Sequence, residues 1–221
     1  MYWAHARLHP KPSLAVDRWL IVAGAIFGAM LGSKVLHVLA HLPYLYEQPL
    51  SVWLAGKSLL GGFLGGTLGV ELAKRSVVWH QSTGDAWVGA ITVGVIIGRL
   101  GCQVSGLWDQ TYGVATHLPW GWDYGDGVAR HPTALYEAIL LAISYIGIRC
   151  LKGKKGLRFA SLMAAYCVIR FGLEWLKPPF GPAATGTLPT ALYGSFTAIQ
   201  WAAILGLAYF TGRIRQLRNN V

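Results

Sequence analysis

Apolar residues in this chain fall into blocks of near-spanning length, about 20 residues each, separated by polar breaks. They run from Trp19 to Leu39, Val52 to Ala73, Ala86 to Gln103, Ala134 to Leu151, Phe159 to Leu176 and Leu188 to Thr211. The pattern predicts six transmembrane helices and, between the third and fourth, an irregular polar loop from Val104 to Arg130. Bases gather in alternate connections: Arg7, Lys11 and Arg18, then Lys74 and Arg75, then Arg149 to Arg158, then Arg213 to Arg218. By the positive-inside rule that side is cytoplasmic, so both termini are expected inside. The loop carrying Asp109, Asp123 and Asp126 is then expected outside. The basic start could suit a secretory signal, but the apolar run that follows is too long and lacks a small-residue cleavage site. It reads as an uncleaved span. The expected fold class is all-α, a polytopic membrane protein forming one transmembrane domain over residues 1–221.

Composition sharpens this. With 54% hydrophobic and 13% charged residues, against about 25% charged in soluble domains, the chain is too apolar for a water-soluble globule. The net charge of +10 is accounted for by the basic connections and calls for no nucleic acid. Glycine, 28 of 221 residues, is patterned. Gly24, Gly28 and Gly32 recur every four positions in the first block, as do Gly61, Gly65 and Gly69 in the second, with Gly62 and Gly66 beside them. Such a bare face is either a helix-packing seam or a groove where a lipid approaches the backbone, and both can hold together. Cys102, Cys150 and Cys167 lie in or near spans, two at opposite faces, so no disulfide framework is expected. Lys34, His37 and His41 resemble a metal-ligand spacing, but no carboxylate or cysteine accompanies them. They read as interfacial side chains, and neither a metal site nor a cofactor is expected.

Ionisable residues inside spans carry the candidate chemistry, since each costs roughly 2.5 to 3.5 kcal/mol at the centre of a spanning helix. Arg99 lies toward the outer end of the third block. In the fifth, Tyr166, Arg170 and Glu174 recur at four-residue spacing and share one helix face. Arg170 either pairs with Glu174 or points into a cavity, where its planar fork suits a phosphate. Arg99 at a similar depth favours an anionic ligand. The fourth block opens with Arg130, His131 and Pro132 and continues through Tyr136 and Glu137. Its helix N-terminus supplies unpaired donors and partial positive charge. Trp108, Trp120 and Trp122 suit the headgroup level, and their turn-rich loop is expected to cover the site.

The segments "GRLGC" and "YGVATHLPWGWDYGDGVARHPTALYE", with "KSLLGGFLGG" before them and "AYCVIRFGLEWLKPP" after, resemble the motifs of bacterial prolipoprotein diacylglyceryl transferases, in the same order and from about Gly56 to Pro179. The resemblance implies an inner-membrane enzyme active at the outer face. Such an enzyme moves the diacylglyceryl group of phosphatidylglycerol to the thiol of a preprolipoprotein lipobox cysteine, forming a thioether and releasing glycerol phosphate. It implies that Arg99 and Arg170 hold the lipid phosphate and stabilise charge on the departing phosphate. Positioning roles follow for Tyr166, Glu174, His131 and Glu137, and substrate contacts for Arg130, Gly61, Gly62, Gly65 and Gly113. The chain also departs from the family. Leu60 stands where a histidine proposed to assist thiol deprotonation is usual, and Cys102 and Ser105 stand at asparagine positions. Asp109 can stand in for a missing glutamate, and one of the family's seven spans has no counterpart. His131, with Asp109 behind it, is then the expected replacement base. Losing the thiol-side histidine keeps open a transferase with another acceptor, such as a sugar, amine or lipid hydroxyl. A non-enzymatic phospholipid carrier or scramblase is open too.

Overall fold

A computed structural model describes residues 14–46, 48–79, 81–178 and 189–219. Arg7, Lys11, Pro179 and Leu188 lie outside the described residues. The helices are α1 (Leu14–Leu45), α2 (Leu50–Ala55), α3 (Leu59–Ser76), α4 (Val88–Ser105), α5 (Thr133–Arg149), α6 (Leu157–Glu174) and α7 (Ala198–Asn219). Two short antiparallel hairpins join them: β1 (Trp122–Asp123) with β2 (Ala129–Arg130), and β3 (Leu192–Tyr193) with β4 (Phe196–Thr197). The second expected helix is broken in two. The backbone turns extended at Gly56 and Ser58, and the Ser58 side chain then caps α3 by accepting from the Gly61 amide at 3.3 Å. The sixth starts later than the apolar block does, because β3 and β4 occupy residues 192–197 first. Segments Val16–Leu45 and Gly84–Asp109 are long and apolar enough to cross a membrane.

Glycine sets the closest packing. Gly24, Gly28 and Gly32 of α1 interdigitate with Gly61, Gly65 and Gly69 of α3, backbone against backbone. A Cβ on Gly65 would stand 2.7 Å from the Gly32 Cα, and one on Gly61 would stand 2.7 Å from the Leu36 Cβ. No side chain fits, which is why small residues at four-residue spacing allow such an approach. The open lipid groove expected at Gly61 and Gly65 is therefore filled by α1. Gly62 lies to one side, where a Cβ would meet the Ala29 carbonyl oxygen at an ordinary 3.7 Å.

The rest of the bundle packs α4 on α5, α5 on α6 and α6 on α7. Asp85, in the turn before α4, caps α6 across 71 residues of sequence. Its carboxylate accepts from the Gly156 amide at 2.7 Å and the Phe159 amide at 2.9 Å. Pro132 is the residue before the first helical position of α5 rather than within it. Large apolar side chains face outward on separate helices, including Phe27, Ile97, Ile143 and Leu205. Such an exterior suits lipid and not water.

Replacing Gly65 by Val should separate α1 from α3, costing at least the roughly 1–3 kcal/mol of an overpacked core, whereas Gly62→Ala should be tolerated. Thermal melting in detergent decides it, and equal behaviour of the two variants would contradict the seam.

Candidate functional site

One carboxylate sits where three helices meet. Glu137 lies just past the first turn of α5 and is almost fully buried, with 2% of its surface exposed. Its Oε1 accepts from the Tyr166 hydroxyl at 2.8 Å and pairs with the Arg99 guanidinium at 2.8 Å, while its Oε2 accepts from Arg170 at 3.1 Å. Arg170 also donates to Glu174 Oε2 at 3.0 Å. Two arginines are thus balanced by two glutamates, the arrangement that makes buried charge tolerable. The two arginines expected to converge do meet, but on Glu137. The Arg170–Glu174 pair, weighed from spacing alone, is also present. Arg99 differs from Arg170 in one respect: its Nε is buried and has no hydrogen-bond partner among the described residues.

Beside this cluster lies a cavity of about 1050 Å³. Arg99, Arg170 and Glu174 line it, whereas Glu137 and Tyr166 support the arginines from behind. Asp109 also lines it and accepts from the Thr111 hydroxyl at 2.7 Å. Leu60 and Cys102, two of the departures from the family pattern, also line it.

Other expected residues go elsewhere. His131 does not line the cavity. Its Nδ1 faces the Tyr136 hydroxyl at 3.2 Å, and its main chain pairs with Gly113 and Val114. That hydroxyl also accepts from the Trp120 indole at 2.9 Å, so His131 is engaged in the loop. Arg130 is also outside, held bidentate by Asp126 with both bonds at 2.7 Å and stacked 5.0 Å over the Tyr112 ring. That hydrogen bond, above all, holds the Asp126 carboxyl below its usual range. Gly113 is needed for closure, since a Cβ there would stand 2.7 Å from the Leu176 carbonyl oxygen. Gly61, Gly62 and Gly65 are absent from the cavity lining, the first two α3 seam positions being covered by α1. These corrections share a cause: the loop folds on itself and the glycines serve α1.

Three cavity residues were not expected from sequence. His37 and His41 come from the end of α1, with ring centroids 4.7 Å apart. Their i, i+4 spacing gave a shared face but not its neighbour, because the cavity exists only once α1 packs beside α3 and the segment before α7. Lys177 follows α6 and keeps some exposure, yet burial of its ammonium, reinforced by Arg170, pulls its pKa down to about 8.

A mostly helical chain with an apolar exterior, enclosing a buried arginine–glutamate cluster beside a large cavity, defines a membrane protein with an internal polar site. The prolipoprotein diacylglyceryl transferase family model matches residues 2–214. A phosphatidylglycerol–prolipoprotein diacylglyceryl transferase of Geobacter sulfurreducens is 34% identical over 80% of this chain and 77% of its own. One of Aromatoleum aromaticum is 29% identical over 98% of this chain and 84% of its own. The chain belongs to the prolipoprotein diacylglyceryl transferase family.

Glu137→Ala should cost roughly 3–5 kcal/mol because it strands the buried Arg99 guanidinium and leaves Arg170 with Glu174 alone. Tyr166→Phe, which removes one bond to a charged acceptor, should cost about 1.5–3 kcal/mol. Detergent melting curves test the order; equal losses would contradict the central place of Glu137.

Proposed function

We propose that this protein transfers the diacylglyceryl group of phosphatidylglycerol to the thiol of a preprolipoprotein lipobox cysteine. The observation that carries this reading is Arg99, a guanidinium in the cavity wall beside Arg170, paired among the described residues with Glu137 alone. Family membership and the names borne by both relatives support the same reaction. A cavity of about 1050 Å³ matches the upper end of small-ligand sites, roughly 300–1,000 Å³. That is room for a glycerophosphate headgroup and the cysteine end of a peptide.

Among the described residues Arg99 makes one ion pair, to Glu137, and so has further donors for a phosphate. Arg170 beside it adds a second positive charge at the same wall. The thiolate sulfur attacks the glycerol carbon that carries the phosphate ester. The carbon–sulfur bond forms as the carbon–oxygen bond breaks, and the electron pair leaves with glycerol phosphate. Charge therefore grows on the phosphate oxygens, where prealigned guanidinium groups in a water-poor site act most strongly. Glu137 and Tyr166 hold the arginines in place, so neither arm must be ordered during the reaction.

Incubation of the purified protein with labelled phosphatidylglycerol and a lipobox peptide should yield peptide-linked label. Arg99→Ala should lower the rate by about 100- to 1,000-fold, as loss of an electrostatic donor to a developing oxyanion does. No label above that variant would overturn the reading.

The six long helices cross the inner membrane with both termini cytoplasmic, and the hairpin loop after α4 lies outside. Basic residues at the ends of α3, α5 and α7 support this orientation. In intact cells, an impermeant thiol reagent should label a cysteine placed at Asp126 and spare one at Lys154, in a background lacking the native cysteines. The reverse pattern would contradict the orientation.

A further inference from the structure

A thiol of pKa about 8.5 is only a few per cent thiolate at neutral pH. A transferase acting on a cysteine therefore gains from a base near its acceptor. His131 is engaged in the loop, Asp109 already accepts from Thr111, and Lys177 at about 8 is mainly an ammonium at neutral pH.

His41 is different. Its Nδ1 lies 2.9 Å from the Pro189 carbonyl oxygen. A carbonyl only accepts, so Nδ1 carries the proton and, in the neutral ring, Nε2 carries the lone pair. The geometry is fixed from both sides of the contact. The Ala191 amide donates to the Ala40 carbonyl at 2.7 Å and the Tyr193 hydroxyl to the Leu39 carbonyl at 2.6 Å, stitching the segment before α7 to the last turns of α1. The His37 ring stands against His41 on the same helix, and Gly56, lacking a side chain, leaves room for it.

We infer that His41 is the general base of this enzyme, its Nε2 taking the proton of the acceptor thiol while the Pro189 carbonyl holds the ring in the competent tautomer. The inference rests on the transferase reading and names the group on the acceptor side. The proton moves from sulfur to Nε2, the thiolate attacks the glycerol carbon, and the proton is returned to water or to the departing phosphate. On its own helix, Lys34 and His37 lie beside His41. Lys34 is turned away, donating to the Leu54 and Gly56 carbonyls. The same cavity is lined by Lys57 ahead of α3, Arg99 on α4, Asp109 in the turn after it, and Arg170, Glu174 and Lys177 at the end of α6. The lipid phosphate and the acceptor thiol would thus be served by different helices lining one cavity.

The test follows single-turnover transfer to the lipobox peptide across pH, with phosphatidylglycerol in excess. The useful variant is His41→Asn, whose side-chain amide can still donate to Pro189 while offering no base; His41→Ala would remove both. Wild type should lose rate as pH falls. His41→Asn should be slower by about 100- to 10,000-fold near neutrality. It should lose that acid limb and close much of the gap as pH rises past the thiol's own pKa. A merely structural defect would instead slow transfer equally at every pH. The inference is overturned if the variant keeps the wild-type rate and limb, is uniformly slower, or if Lys177→Gln rather than His41→Asn removes the limb. Absence of transfer by wild type would remove the transferase reading and this inference with it. Transfer with an unchanged His41→Asn profile removes the inference alone.

Discussion

The polar site depends on one buried carboxylate. Glu137 draws Arg99 from α4 and Arg170 from α6 onto its two oxygens, with Tyr166 completing the set. Removed from water, any one of these charges alone would be expensive to hold; with Glu174 on Arg170, the two arginines and two glutamates neutralise one another. The same contacts fix the spacing of α4, α5 and α6 at the level of the cavity. Stability and chemistry therefore meet in the same atoms. Both arginines also reach the lining of the cavity.

The glycine seam has the complementary task. Because α1 and α3 approach backbone to backbone, they act as one thick unit, and the cavity lies between that unit and the helices that carry the arginines. Its two walls then differ in character. The α4–α6 wall is charged and cross-braced through Glu137. The α1 wall presents the His41 imidazole, held at the Pro189 carbonyl, on a helix end whose Ala40 and Leu39 carbonyls accept from the Ala191 amide and the Tyr193 hydroxyl. An enzyme that binds a phosphate on one side and activates a neutral thiol on the other needs that asymmetry, since a strong positive field suits the first task and a neutral base the second.

How far the sequence reached can be judged residue by residue. Arg99, Arg170 and Glu174 were legible because a charge in an apolar block demands a reason, and Tyr166 joined them by helical spacing. Glu137 was noted as a positioning residue, but its place between both arginines required knowing that α5 lies between α4 and α6. The glycine pattern was legible as a seam; its partner face was visible too, in Gly24, Gly28 and Gly32. His131 drew notice because it opens a helix, and nothing local reveals that Tyr136 and the backbone of Gly113 and Val114 engage it. His37 and His41 looked worse than they are, since a histidine near a helix end has an ordinary interfacial explanation until the opposing wall is known.

The central claim is that Arg99 receives the phosphate of phosphatidylglycerol in the cavity. Solid-state NMR on the protein reconstituted with phosphatidylglycerol can read the dipolar coupling between labelled guanidinium nitrogens and the lipid phosphorus. The account predicts a coupling of direct-contact strength that is lost in Arg99→Lys, where the planar fork is gone but the charge remains. A coupling that survives that substitution unchanged, or no coupling in the wild type, would contradict it.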